Sequence, residues 1–336
     1  MKIRALFLKA LLFIFLLAGC ASENGKQEVP FPEPVYFHQG NQHSSPKNVL
    51  IIATGNMSGV FFSLGQAMAD IYEKYNGSAS GTQVTNASFH NARLVSQKKA
   101  ELGFATVDVI GLVEAQKSKG EKNQTPLRAL TGLYSNYIHI ITTEKSGIHS
   151  LEDLSGKRIS VGSIESGTKL IAERTLQTAE LTNKIQKYNL SFSQSADALR
   201  NGTIDAAFFV SGLPNPEIAS IAKEMPIKLI SVPEEIVNRL HDQYGYYSEI
   251  DIPSDTYHGQ KENIQTFSVK NVLIANQDMS NKEAYELVKT LYAHLPELQE
   301  IHPAARNIKL SEAKNGIPLD FHPGAEKYFS EHGIFE

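Results

Sequence analysis

The chain has 336 residues, with 32 Lys and Arg against 36 Asp and Glu, giving a formal charge of −4, and 41% of its residues are hydrophobic. The length suits two lobes, and the acidic excess argues against nucleic acid as a partner, because phosphate neutralisation needs a basic footprint. A single cysteine, Cys20, excludes disulfides, thiolate metal sites and a cysteine nucleophile from the folded part.

Lys2, Arg4 and Lys9 precede an apolar run at 10–17 that is too short to span a bilayer and leads into Ala18, Gly19 and Cys20. This pattern resembles a bacterial lipoprotein signal. The resemblance implies a signal peptide at 1–20, lipid attachment at Cys20 and an extracytoplasmic chain anchored to a membrane of the bacterial cell envelope. Removing the three signal cations takes the formal charge from −4 to −7. Residues 21–47 hold Pro30, Pro32, Pro34 and Pro46 among polar residues and read as a flexible tether; Phe31, Val35, Tyr36 and Phe37 within it receive no role. No later run is apolar enough to cross a membrane, and no internal repeat is present.

From residue 48 strands and helices alternate. The run 49–53 predicts a buried parallel strand, and a helix follows with Leu64, Ala67, Met68, Ile71, Tyr72 and Tyr75 on one face. The connection holds Thr54, Gly55, Asn56, Met57, Ser58 and Gly59, and then Phe61 and Phe62. Ligands of open α/β sheets sit at such connections, beyond the carboxyl ends of strands. Small residues and hydroxyls there offer one cleft wall with an aromatic surface, although the phenylalanines also suit a core. A strand at 82–85, a helix at 88–100 with Ser88 as N-cap, a short strand at 102–105 and a helix from Thr106 follow. Asn91 suits either a ligand hydrogen bond or a solvated surface. After a polar loop at 120–125 come two apolar runs, 127–134 and 137–143; the second suits a strand passing from one lobe into the other.

The pattern then repeats, with a strand at 158–162, a short helix at 195–201, a strand at 204–210, a helix at 216–224 and a strand-like run at 226–232. Gly212, at a strand end before Leu213 and Pro214, either admits close backbone approach to a ligand or marks a plain turn. A return strand at 266–275 leads to a helix carrying Leu287, Val288, Leu291, Tyr292 and Leu295, interrupted at Pro296.

Between the strand at 158–162 and the next helix stand Ser163, Ile164, Glu165, Ser166, Gly167 and Thr168. A strand turning through Ser, Gly and Thr into a helix presents unpaired N–H groups, hydroxyls and the positive end of the macrodipole, which is an anion site. An ordinary capped helix has the same composition. Gly162 and Gly167 have phosphate-loop spacing, but Thr168 precedes Lys169 where the reverse order is required, which argues against a nucleotide.

Taken in order, these stretches resemble the TAXI-type extracytoplasmic receptors of tripartite TRAP transporters. The likeness is carried by 53–65, by 150–162, by Glu165, Ser166, Gly167 and Thr168, by 202–209, by Gly212, Leu213 and Pro214, and by His322, Pro323, Gly324 and Ala325. It implies a two-lobed α/β fold of the periplasmic-binding-protein type (type 2), with lobe 1 at 48–136 and 271–336 and lobe 2 at 137–270. It implies a small carboxylate ligand (amino acid, dicarboxylate or oxoacid), closure of the lobes over it and delivery to TRAP membrane subunits. Carried over, the ligand-binding residues are Thr54, Gly55, Ser58, Gly59 and Phe61, then Ser88 and Asn91, then Ser163, Ser166, Gly167 and Thr168; the loop at Gly212 joins them. Phe61 and Phe62 stand where the family usually has two tyrosines, and Asn56 and Met57 replace small residues, so the ligand's identity does not carry over.

No catalytic group, cofactor or metal site is implied. The eleven histidines form no zincin motif, there is no Gly-x-Ser-x-Gly elbow, and His302 and His322 lack a closely spaced metal partner. His322 reads as a structural residue at a turn and Asp205 as a tie to neighbouring backbone. A ligand-sensing lipoprotein serving a signalling partner, or an enzyme using the same cleft, are the alternative readings.

Overall fold

The computed structural model describes the backbone of residues 35–37, and residues 49–118 and 125–334. The signal peptide, Cys20, most of the stretch read as tether and the loop around residue 120 lie outside the described residues. Chain order begins with β1 (Val35–Phe37), β2 (Leu50–Ala53), α1 (Val60–Asn76), β3 (Ser80–Gln83), α2 (Ser88–Ser96), β4 (Leu102–Thr106) and α3 (Val107–Ser118). β5 (Leu127–Thr143) leads to β6 (Arg158–Ser160), α4 (Gly167–Thr178), β7 (Gln186–Tyr188), α5 (Phe192–Arg200) and β8 (Ala206–Ser211). Then come α6 (Pro216–Glu224), β9 (Ile227–Leu229), α7 (Glu234–Tyr244), β10 (Tyr247–Ile252), β11 (Ile264–Asn276), α8 (Asn281–Ala293), α9 (Leu295–Ile301) and α10 (Pro323–Glu331).

Among the described residues the strands form one sheet in the order β1-β3-β2-β4-β11-β5-β8-β6-β7, with β10 on β11 and β9 on β5. β2 runs parallel to β3 and β4 in one half, and β6 parallel to β7 and β8 in the other. Each half thereby points its strand carboxyl ends at a set of helix starts. β5 and β11 join the halves: β5 pairs with β11 over its first part and with β8 over its second, while β11 also pairs with β4 and β10. The two runs read separately at 127–134 and 137–143 are thus one strand of 17 residues, because Ser135 and Asn136 continue the ladder to β11.

Other differences have local causes. Val35–Phe37, inside the stretch read as tether, pair antiparallel with β3, where a β-prone tripeptide covers an open sheet edge. Ser88 is the first residue of α2 and not its cap; Ala87 precedes it with φ 72 and ψ −143. Tyr75 is exposed while Leu64, Met68, Ile71 and Tyr72 pack into the core, so the buried stripe of α1 stops a turn early. Pro296 stands in the first turn of α9, beyond a break at His294, where its missing N–H costs nothing. α7, β7 and β10 are not among the elements expected above; α7 carries its buried residues Ile236, Val237 and Leu240 at helical spacing. His322 caps α10 by accepting from the Gly324 N–H while its other ring nitrogen meets the Met279 carbonyl, and Asp205 takes the Arg158 N–H and guanidinium. Both do the structural work expected of them.

Candidate functional site

A cleft lies at the carboxyl ends of β2, β3 and β4 on one side and of β6 and β8 on the other. Four helices begin on it: Gly59 and Val60 at the start of α1, Ala87 and Ser88 at α2, Ser166, Gly167 and Thr168 at α4, and Phe192 at α5. Among the described residues, no residue that lines it carries a charge. The four helix dipoles turn their positive ends toward the cleft.

The wall at 163–168 is built to leave donors unused. β6 ends in Gly162, whose φ of +95 suits glycine, and a Cβ there would lie 2.7 Å from Thr168 Cγ2. Ser166 caps α4: its hydroxyl accepts from the Lys169 N–H at 3.1 Å and donates to the Ser163 carbonyl at 2.7 Å. The N–H groups of Gly167 and Thr168 precede the first intrahelical bond of α4. Thr168 is 7% exposed, and its hydroxyl makes no hydrogen bond among the described residues.

The opposite wall spends the same residue types on itself. Thr54 is fully buried and its hydroxyl donates to the Gln83 carbonyl. Asn91, also fully buried, donates to the carbonyls of Thr54 (2.5 Å) and Phe104 (2.7 Å) and accepts from Thr85 Oγ1 (2.5 Å). Ser58 folds back onto Asn56 Oδ1. These bonds tie the loop ends of β2, β3 and β4 together and brace Ala87, whose backbone is in a region that non-glycine residues rarely occupy.

Of the residues singled out from sequence, Gly55, Gly59, Phe61, Ser88, Ser163, Ser166, Gly167 and Thr168 line the cleft together. Four do not. Thr54 and Asn91 are turned into the bracing just described, so Asn91 is neither a solvated amide nor a cleft residue. Ser58 is committed to its own turn. Gly212 is not among the lining residues and packs behind Tyr134, where a Cβ would lie 2.8 Å from Tyr134 Cε2 and 3.0 Å from Ala304. Phe61 serves both readings given to it, lining the cleft and stacking on Phe104 with centroids 5.0 Å apart.

Tyr134 and Asn136, on the same face of β5, also line the cleft and were not anticipated, and nor were Thr85, Thr106, Phe192 and Ser211. The visible sign of Asn136 was the polar break in the apolar run 127–143; that of Phe192 was the Ser191 to Gln194 capping box, which the structure forms. The Tyr134 hydroxyl is buried without a hydrogen bond, and burial pushes its pKa well up, so it stays protonated.

The walls touch. Phe89 N–H donates to the Glu165 carbonyl, both Arg93 Nη atoms donate to the Glu165 carboxylate at 2.7 and 2.9 Å, and Gly167 sits where a Cβ would lie 3.0 Å from Ser88 Oγ. Further along α4, Arg174 and Tyr247 donate to the buried Asp108 carboxylate of α3, at 3.4 and 2.8 Å. Burial pushes the Asp108 carboxyl up, opposed by the Thr106 and Tyr247 hydrogen bonds and the Arg174 charge.

Among solved structures, the chain is similar to the periplasmic binding protein BugD at 11% identity, over 86% of this chain and 95% of that one, with a TM-score of 0.55. It is also similar to the periplasmic aliphatic sulphonate binding protein SsuA from Escherichia coli (14% identity, 85% and 84% covered, TM-score 0.43). A putative L-cystine ABC transporter from Listeria monocytogenes is similar at 13% identity (78% and 98% covered, TM-score 0.49). The likeness to BugD gives the fold, the two-lobed α/β architecture of periplasmic binding proteins. A family model described as NMT1-like family matches residues 52–333, and the chain belongs to the NMT1-like family.

Proposed function

We propose that the protein is an extracytoplasmic receptor that closes its two lobes over a small carboxylate and hands it to the membrane subunits of a TRAP transporter of the TAXI type. In this reading Cys20 carries the lipid anchor, lobe 1 comprises 48–136 and 271–336, and lobe 2 comprises 137–270. The observation that carries it is the cleft itself: four helix starts converge on an uncharged space between the halves of the sheet, at strand carboxyl ends. Such a space favours an anion without fixing one by a salt bridge, which suits a ligand that must be released again. The ligand carboxylate docks on the Gly167 and Thr168 N–H groups and the Thr168 hydroxyl, and Phe61 closes over its apolar part.

Each helix-terminus interaction is worth up to about 2 kcal/mol in a partly buried geometry, whereas micromolar affinity needs about 8 kcal/mol. Several helix starts acting together, with hydrogen bonds made on closure, account for the difference. A thermal-shift screen against small carboxylates, sugars, amines and amino acids tests the reading. A carboxylate at about 100 times its dissociation constant adds about 2.7 kcal/mol of stability. A shift with sugars or amines and with no carboxylate removes the anion assignment.

A further inference from the structure

The geometry points to a second subsite, formed by Asn136 and Tyr134 on β5, that takes a neutral hydroxyl or carbonyl group of the ligand and rejects an ammonium group. The inference rests on the carboxylate reading above and narrows it, to hydroxy and oxo acids over amino acids.

Three observations converge. First, both side chains have unspent hydrogen-bonding capacity beside the cleft. Asn136 is 3% exposed, and Asn271 Nδ2 donates to its Oδ1 at 3.0 Å, which leaves the other end of the Asn136 amide uncommitted. Exchanging oxygen and nitrogen in both amides preserves that bond and still leaves one end of Asn136 over. The Tyr134 hydroxyl has no partner either. A buried polar group without a partner is costly, so the Tyr134 hydroxyl, together with the uncommitted Asn136 amide end two residues along the same cleft-lining strand, marks a place where a ligand supplies the missing bonds. A phenol O–H donates and accepts, and an amide end does one or the other, so a hydroxyl or a carbonyl oxygen satisfies them without bringing a charge.

Second, an ammonium group finds no counter-charge. Among the described residues, no carboxylate lines the cleft. Of the nearby acids, Glu165 is taken by both Arg93 Nη atoms, and Asp108 is fully buried with Arg174 and Tyr247 on it. A desolvated cation with no anionic partner is strongly unfavourable. Third, the helix starts of α1, α2, α4 and α5 face the cleft with the same sign. The field that attracts a carboxylate repels an ammonium.

The test is calorimetric titration of the full chain with pentanoate and with hydroxypentanoates and aminopentanoates matched at carbons 2, 4 and 5. At the carbon that reaches the subsite, the hydroxy acid binds about 10-fold tighter than pentanoate, the value of a neutral hydrogen bond. The matched amino acid binds about 100-fold more weakly than the hydroxy acid. Tyr134→Phe removes an oxygen without a hydrogen-bond partner among the described residues, so it folds normally and loses most of the hydroxyl preference, read as the ratio of hydroxypentanoate to pentanoate affinity. Asn136→Asp, nearly isosteric, reverses the order and favours the amino acid. Pentanoate binding with amino and hydroxy acids equal at every carbon overturns this inference alone, as does an unchanged hydroxyl preference in Tyr134→Phe. Failure of every acid to bind overturns the carboxylate reading, and this one with it.

Discussion

The two walls of the cleft are made from the same kinds of residue and use them in opposite ways. On the β2, β3 and β4 side, Thr54, Thr85 and Asn91 spend their hydrogen bonds on neighbouring backbone and on each other. On the α4 side, Ser166 alone caps the helix, and the Thr168 hydroxyl and the first N–H groups stay free. The difference follows from what each wall must hold. Three parallel strand ends and a strained residue, Ala87, need cross-ties, whereas one strand turning through Gly162 into one helix needs only a cap. A Ser, Thr or Asn at a strand's carboxyl end is therefore a brace or a ligand group according to how many loop ends meet beside it.

If bracing and binding are separable, disturbing a brace should change stability more than affinity. The largest effect is expected at His139 on β5, which is fully buried between the Phe209 carbonyl (3.1 Å) and the Tyr257 hydroxyl (2.9 Å). Burial lowers its pKa to about 4, so the folded protein keeps it neutral where the unfolded chain, at about 6.5, already takes up a proton. Its stability contribution is complete above pH 6.5 and is lost as pH falls toward 4, by about 3 kcal/mol in all. Urea unfolding of wild type and His139→Gln at pH 7 and pH 4.5 measures this; an equal loss in both breaks the assignment. Next is Asn91→Ala, which takes a donor from the buried Thr54 and Phe104 carbonyls and an acceptor from the Thr85 hydroxyl, and should cost about 2 to 3 kcal/mol in urea unfolding. The protein that remains folded should bind its carboxylate within about 10-fold of wild type, and a larger loss would make Asn91 part of the binding wall after all.

The fold was legible because strand and helix periods are local. The runs 49–53, 102–105, 204–210 and 266–275 come close to the observed β2, β4, β8 and β11, and the helix at 216–224 matches α6. The wall at 163–168 was legible for the same reason, since a cap and a helix start are written in consecutive residues. The bracing wall was not, because whether Asn91 meets solvent, a ligand or the Thr54 carbonyl depends on a strand 37 positions away. Asn136 and Tyr134 escaped notice because β5 was divided at the polar pair that places one of them in the cleft.

Two smaller effects sharpen the comparison from the binding side. Thr168→Val removes a hydroxyl that nothing in the protein uses, so stability should hold while carboxylate affinity falls about 10-fold by calorimetry. Unchanged affinity sinks the docking position. The smallest effect belongs to the ion pair between the walls. Glu165 occupies a left-handed backbone conformation, φ 62, and receives both Arg93 Nη atoms, with the two side chains 37% and 47% exposed. Exposed pairs are worth up to about 1 kcal/mol and are screened by salt. Glu165→Gln should therefore weaken binding less than about 5-fold in dilute buffer, and the difference should vanish at about 1 M salt, where the Debye length is about 3 Å. The Phe89 N–H to Glu165 carbonyl bond uses backbone atoms and survives the substitution. A loss that persists in high salt would mean that the Glu165 side chain holds the walls together by shape, and charge would then be incidental to their contact.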